Sequence, residues 1–473
     1  MTIYILGGGP TGLAVCDELI ESSKIPFVVI EKEPDIGGLS QTLKWDNHGF
    51  HDLGPHKIFS LDKSLMTRIK NLLSKDDWLT RPKKSSIYLK KHFLPYPPSP
   101  FSLINVYGLI GFLGKIFDLA IARIQSLKKR EVASTFEEDL KARLGQGIYE
   151  TLFKPIALKL WGDPTKLDVN LSKSRIQTPS LFEVMAKVLK IRKESKFEAL
   201  EFYYPKGGLQ KVWKAISAKS KDQGRFLVNK EVSAIISEGA LVKKIRYKDR
   251  ITKKEEEIIL EKDDFVVSTI PLQEIPSIMG DGINSDIAEK IRKGIQFNDL
   301  ILIFFKIDKP SLLDDSWVFV PDLEITFHRL SEQESFDPSM TPNGSIVCCE
   351  IMSNPARLMN ELSDEELIAS TKKGLADMGY DGFSIIDTRV FRVPASYPLF
   401  WVGFEPVLKE ILAYLDQFKN FRTIGRQGAF GYIGTLDAMD IGYGIAKWLI
   451  QSKDDTSLWK EERERTSYYP VLD

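Results

Sequence analysis

Three glycines in the first dozen residues, Gly7, Gly9 and Gly12, stand at G-x-G-x-x-G spacing, and an acid, Glu31, closes the next apolar run. This set suits the holding of a dinucleotide by its pyrophosphate. Gly7 permits a tight turn, Gly9 lets bare backbone approach the phosphates, and Gly12 lets helix and strand pack closely. The helix N-terminus adds N–H groups and a positive dipole end, and Glu31 is placed to accept from ribose hydroxyls. Elsewhere the residue types favour recognition over covalent attack. Arg175 and Arg329 lie outside the glycine turn and are candidates to grip a diphosphate, because the planar guanidinium fork matches phosphate oxygens; each also suits an ordinary salt bridge. Trp161 suits a stacking platform for a base and suits a core position equally. Of His48, His51 and His56, only His56 follows a Gly-Pro turn, at Gly54-Pro55. No Ser-His-Asp, Cys-His or paired-carboxylate constellation stands out.

These residues need elements to position them. Ile3–Leu6 is a short β-type run, Leu13–Ile20 has helical periodicity, and Phe27–Ile30 forms a second run ending at Glu31. Strand, glycines, helix, strand and acid therefore occur in the order of a βαβ nucleotide unit. Residues 61–130 look mainly helical, broken by the Pro-rich piece His92–Pro100. Residues 130–200 look helical, with periodicity at Glu137–Leu144 and Leu181–Ile191. Paired strands are expected over Phe226–Tyr247 and Glu255–Leu260, a buried strand at Phe265–Ile270, and further strands at Leu300–Ile307, Ile346–Glu350, Thr388–Arg392 and Phe421–Ile424. A capping box at Ser363 and Glu366 opens a helix over Asp364–Met378, and two more helices are expected at Val407–Phe418 and Ala438–Gln451.

Lys plus Arg equals Asp plus Glu, at 65 each, which argues against a nucleic-acid partner. Cys16, Cys348 and Cys349 are too few for a disulfide framework and lack metal-ligand spacing, so buried thiols and no metal are expected. The chain runs straight into its glycine turn with no basic leader, and a cytoplasmic location is the expectation. Leu103–Ile124 is apolar and about as long as a bilayer span. Lys115 and Asp118 interrupt it, so the expectation is a buried helix or one that touches the inner membrane face, and not a span.

The segment after Glu31, with Lys32, Gly37-Gly38 and Ser40, resembles the amine-oxidase and protoporphyrinogen-oxidase group of FAD proteins. Phe421–Gly425 with Arg426, Tyr432 and Asp437 resembles the element that closes over the flavin in that group, and Tyr203-Tyr204-Pro205 with Gly207-Gly208 matches a further shared motif. The resemblance implies an α/β fold: a Rossmann-like FAD-binding domain of amine-oxidase type, an interleaved helical domain and an antiparallel-sheet substrate domain. The expected divisions are 1–85, 200–275 and 415–455 for FAD, 100–200 for the helical domain, and 86–99 with 276–414 for substrate. FAD contacts are implied for Gly7, Gly9, Pro10, Thr11, Gly12, Glu31, Lys32, Gly38, Leu39, Ser40 and His56. They are implied also for Val232 near adenine, for Thr269, and for Gly425, Arg426, Asp437, Ala438 and Met439 near the ribityl chain and flavin.

Within the group, several stretches resemble UDP-galactopyranose mutases: Asp52–His56, Tyr88 with Phe93–Pro97, Trp161–Pro164 with Arg175, and Phe327-His328-Arg329. Substrate contacts are implied for Tyr88, Trp161, Arg175, Arg329, Tyr397 and Tyr432, and catalytic positions for His56, Arg426 and Tyr432. A mutase of this kind isomerises a nucleotide sugar between pyranose and furanose, with N5 of reduced flavin attacking the anomeric carbon. The protein positions the reactants and stabilises charge; NAD(P)H is one candidate reductant, which the sequence does not single out. One departure stands near the end: the mutase pattern has a polar residue just before its Asp, and here Leu436 precedes Asp437. The alternatives are an FAD-dependent oxidoreductase of the protoporphyrinogen oxidase, amine oxidase or desaturase type, and a flavin-bound protein without catalysis.

Overall fold

The computed structural model describes residues 1–96, 98–128, 133–176, 201–467 and 469. The expected helix over Leu181–Ile191 lies outside the described residues.

Ile3–Leu6 is a strand at the centre of a five-stranded sheet. It pairs in parallel with Phe27–Ile30 on one side and with Phe265–Ser268 on the other. Gly224–Leu227 and Phe421–Thr423 form the edges. The sheet is therefore assembled from both ends of the chain and its middle. Side-chain alternation sorts the strand between two cores. Ile3 and Ile5 face the glycine-turn helix Pro10–Ser22 and the closing helix Thr435–Gln451; Leu6 and Tyr4 face a cluster shared with Phe404–Leu415 and the three-stranded hairpin sheet that begins at Lys230. The two helices cross closely, since a side chain at Gly442 would collide with the Thr11 carbonyl oxygen.

A second sheet has seven strands, ordered Ile385–Pro398, Phe297–Ile307, Ser345–Ser353, Arg329–Glu332, Trp317–Phe319, Ser85–Leu89 and His92–Pro95. One face carries Ile301, Ile303, Phe305, Val347 and Cys349 under the helix Asp364–Asp377, whose Ser363–Glu366 capping box forms as expected. The other face carries Leu300, Leu302, Phe304 and Cys348 and packs on Trp45. A helical group, with helices Phe136–Leu144, Lys154–Leu160 and Val169–Arg175, closes on its own core around Phe136, Tyr149 and Trp161.

The region 61–130 is less helical than its sequence suggests. Trp78–Pro82, Ser85–Leu89 and His92–Pro95 are strands. Trp78–Pro82 pairs with remote Glu201–Pro205, and Ser85–Leu89 pairs with remote Trp317–Phe319 as well as with its hairpin neighbour His92–Pro95. The hairpin turn is Lys90-Lys91, both at positive φ, a conformation ordinarily marked by Asn or Gly.

Candidate functional site

The glycine turn leaves the first strand at Gly7 and enters its helix at Pro10, with Gly9 as an extended N-cap that no side chain caps. Pro10 occupies the first turn, where its missing N–H costs nothing. Gly37 and Gly38 return the chain to the same point, Gly37 N–H donating to Gly8 O at 2.8 Å. Two bare backbones then face each other: a methyl on Gly38 would stand 3.0 Å from Gly9 Cα. This is a cradle that a Cβ would fill. Glu31 is buried at the end of its strand. Its Oε2 accepts from Gly8 N–H at 2.6 Å and its Oε1 from Glu33 N–H at 2.8 Å, while burial raises its pKa. The carboxylate thus fixes the turn as well as bordering it. Lys32 is exposed, and its carbonyl accepts from Arg250. Asn229 and Lys230 bond backbone to backbone with Glu33 and Glu31, which brings Val232 to this edge.

Thr269 and Gly425 complete the rim. Thr269 N–H and Oγ1 both donate to Leu6 O, and Gly425, at φ +82°, would put a Cβ 2.6 Å from Thr11 Oγ1. Ser40 turns inward: its hydroxyl donates to Gly37 O and its carbonyl accepts from Trp213 Nε1. Asp437 folds back as the third residue of the closing helix and accepts from Gly434 N–H at 3.0 Å. Burial raises its pKa, against the Gly434 hydrogen bond and the Arg175 charge. Ala438 and Met439 have buried side chains in the core against the first helix.

His56 sits where the loop after Gly54 meets the Gly38 turn. One ring nitrogen, Nε2, faces two carbonyls, Leu39 O at 3.0 Å and Leu53 O at 3.2 Å. A nitrogen between two acceptors carries the proton, so Nε2–H donates and Nδ1 is the bare nitrogen. Burial first, and the charges of Arg329 and Arg426 after it, push this imidazole down to about 4. At neutral pH His56 is an uncharged anchor of the turn.

Five of the expected residues meet one another. Arg175 stacks on Tyr432, its Cζ 3.4 Å from the ring centroid, and donates to Tyr432 O. Trp161 Nε1–H donates to the Tyr432 hydroxyl at 3.3 Å, and the Trp161 ring packs in the helical core on Phe136. Tyr397 lies 5.2 Å from Tyr432 between ring centroids. Arg426 Cζ lies 4.6 Å from the Tyr397 ring, with its guanidinium donating to Ser396 O and Ile433 O. Burial pushes Tyr432 up to about 12, so it stays a phenol able to donate. Two cations on two tyrosines make a surface suited to an anion with a flat or hydroxylated body.

Arg329 lies on the neighbouring sheet face and forms a two-pronged pair with buried Glu350, Nη2 to Oε2 at 2.7 Å. A Cβ on Gly54 would stand 3.8 Å from Glu350 Oε2. Sequence reading took Arg329 as a phosphate grip and missed Glu350, whose one signal is an acid inside the apolar run Ile346–Met352. Tyr88 is not brought to this group. It points to the opposite sheet face, packs on Phe93 and donates to Asp377 O. The period-two alternation of the strand decides this: Tyr88 shares a face with Leu330, not with Arg329.

Two more buried charged groups, Lys159 and Asp52, tie the elements together. Lys159 donates to Val320 O and Phe327 O at 2.8 and 2.9 Å, tying the Trp161 helix to the strand that carries Arg329. Asp52 accepts from Thr42 Oγ1 at 2.5 Å and from Tyr204 OH at 2.6 Å, and its N–H donates to Gln333. Burial pushes its carboxyl up to about 7, against both hydroxyl hydrogen bonds.

Comparison with known proteins agrees with this architecture. Residues 5–75 match the NAD(P)-binding Rossmann-like domain family. The chain is 24% identical to coproporphyrinogen III oxidase of Staphylococcus aureus over 95% of its own length and 99% of that protein. It superposes on reduced UDP-galactopyranose mutase with a TM-score of 0.80, at 17% identity, covering 99% of this chain and 98% of that one. A protein assigned as a protoporphyrinogen oxidase, from Exiguobacterium, gives a TM-score of 0.70 at 16% identity, covering 98% and 99%. The chain therefore carries a Rossmann-like domain within the same overall fold as this mutase and this oxidase.

Proposed function

We propose that this chain is an FAD-dependent enzyme that isomerises the ring of a nucleotide sugar. The FAD assignment rests on the Gly9–Gly38 cradle, the uncapped helix N-terminus and buried Glu31, which fit a dinucleotide pyrophosphate and ribose. When bound and reduced, the flavin supplies an electron-rich nitrogen and ends the cycle unchanged, so no net redox change results. The protein's residues do the rest. Arg175 binds the diphosphate, Tyr432 and Tyr397 orient the sugar by their hydroxyls, and Trp161 holds Tyr432 in place. His56 keeps the Gly38 turn against the site, and Arg426 braces the loop that carries Tyr432. Arg329, paired with Glu350, acts as a positioned dipole rather than a bare cation.

The observation that carries the reading is the stacking of Arg175 on Tyr432, which joins the helical group to the loop before the closing helix. The test is to incubate the anaerobically reduced protein with UDP-galactopyranose and a panel of UDP-, dTDP- and GDP-sugars. A furanose product is expected from at least one. If none is isomerised, the proposal fails. Arg175→Ala is expected to weaken nucleotide-sugar binding by tenfold or more, about 1.4 kcal/mol, with FAD content unchanged. Equal binding by that variant would remove Arg175 from the site.

A second reading has its own support in the 24% identity to a coproporphyrinogen III oxidase across nearly the whole chain. A porphyrinogen bears carboxylates that the same arginines suit. Appearance of a fluorescent porphyrin with consumption of an electron acceptor would favour this reading over the mutase.

A further inference from the structure

The long helix Pro100–Lys128 is built inside out. Its central charges point into the protein. Lys115 Nζ donates to Gly147 O and Thr151 Oγ1 at 2.8 and 2.9 Å, and Asp118 Oδ2 accepts from Gly147 N–H at 2.5 Å. One apolar stripe points out: Ile110 is 87% exposed and Phe117 68%, with Leu113, Ile121 and Ile124 exposed beside them. These fall at steps of three and four residues, one face of a helix. The segment Phe101–Gln125 is long and apolar enough to cross a membrane, yet Gly108 interrupts it at φ +67° and both central charges are bound to the adjoining helical group.

Charge selects what this face meets. Residues 83–130 hold nine Lys and Arg against one acid, Asp118, in a chain whose total charge is zero, and setting aside the inward-turned Lys115 and Asp118 leaves eight cations and no acid. That one acid is turned inward. The exposed Lys90-Lys91-His92 turn stands against the same helix, with Lys90 Nζ 4.9 Å from the Tyr107 ring, and exposed Phe93 and Tyr96 follow it. An apolar ridge bordered by cations fits an interfacial plane of acyl chains and anionic headgroups. We propose that this ridge, Ile110, Leu113, Phe117, Ile121 and Ile124 with the Lys90-Lys91 turn, lies in the surface of an anionic lipid bilayer and docks the protein peripherally. The ridge is distinct from the Arg175–Tyr432 group, and the proposal does not depend on the substrate.

The full-length, flavin-loaded protein is sedimented with phosphatidylcholine vesicles prepared with and without phosphatidylglycerol. It is expected to pellet with the anionic vesicles and to be released by alkaline carbonate. Phe117→Glu and Ile110→Glu sit on exposed positions, so circular dichroism and flavin content stay unchanged while vesicle binding falls by roughly tenfold or more. Lys90→Glu combined with Lys91→Glu is expected to abolish the preference for phosphatidylglycerol. Wild-type protein left in the supernatant, or glutamate variants that bind as wild type, overturns the proposal. So does a wild-type dimer that Phe117→Glu splits without any vesicle binding, since a second copy then covers the ridge. Resistance to carbonate also overturns it, by making the helix a span.

Discussion

Two buried carboxylates, Glu350 and Asp52, set the residue-scale behaviour. Glu350 holds Arg329 from a nearly fully buried position. Breaking such a pair leaves an uncompensated charge, and Glu350→Ala is expected to cost about 3 kcal/mol. Urea unfolding followed by flavin release measures this; a loss under about 0.5 kcal/mol, the range of a surface substitution, would show that the pair does not hold the strand. Asp52 behaves oppositely. Its folded pKa, about 7, lies above the ordinary 3.8, so the folded state holds a proton that the unfolded state gives up between these values. Its stabilising contribution is therefore complete below about pH 4 and is lost as pH rises through about 7. His51 and His56, both pushed down to about 4 chiefly by burial, act with the other sign and gain stability as pH rises from about 4 to about 6.5. The Asp52 part is isolated by difference: the stability of wild type minus that of Asp52→Asn is expected to shrink between pH 5 and pH 8. A difference that stays flat with pH would place the Asp52 pKa near its ordinary value.

Local spacing made some elements legible and remote pairing hid others. The glycine turn could be read because strand, turn, helix and acid are consecutive, and the structure returns each where the spacing puts it. The same holds for the Ser363–Glu366 box, a contact over three residues. The hairpin from Ser85 to Pro95 could not be read, because its Lys90-Lys91 turn lacks the residues that announce positive φ and its outer partner lies at Trp317. The sequence does not show the pairing of Arg329 with Glu350, because the two meet through the register of two antiparallel strands. Tyr88 was misplaced because a motif gives a position in the chain and not the face of a strand. The Gly38 turn gives a prediction on this scale. Gly38→Val pushes side-chain atoms into Gly9 and places a β-branched residue at φ +55°. It is expected to abolish FAD retention while far-ultraviolet circular dichroism stays near wild type. A yellow, stoichiometrically loaded variant would refute the cradle.

At the scale of the whole molecule, the proposed dinucleotide site is a place where distant parts of the chain are joined. Gly7–Gly12, Glu31–Gly38, Val232, Thr269 and Gly425–Asp437 all border it, and the central sheet that supports them draws strands from residues 3–6, 27–30, 224–227, 265–268 and 421–423. The seven-stranded sheet is fastened to this unit through Asp52, Tyr204 and Gln333, and the helical group is fastened to that sheet through Lys159. A ligand in the cradle binds only when the two ends of the chain are both in place, so it binds the folded state and not the unfolded one. At free FAD a hundredfold above its dissociation constant, linkage gives about 2.7 kcal/mol. Flavin-loaded protein is therefore expected to unfold at a higher temperature than protein stripped of flavin, with the gap growing as FAD is added. Because the fastenings run through all three groups, the rise should appear equally in tryptophan fluorescence, which samples Trp161 and Trp317 as well as Trp213 beside the cradle, and in flavin release. A loaded protein whose flavin leaves first, at the unfolding temperature of the stripped form, would mean that the site closes without tying the ends of the chain together.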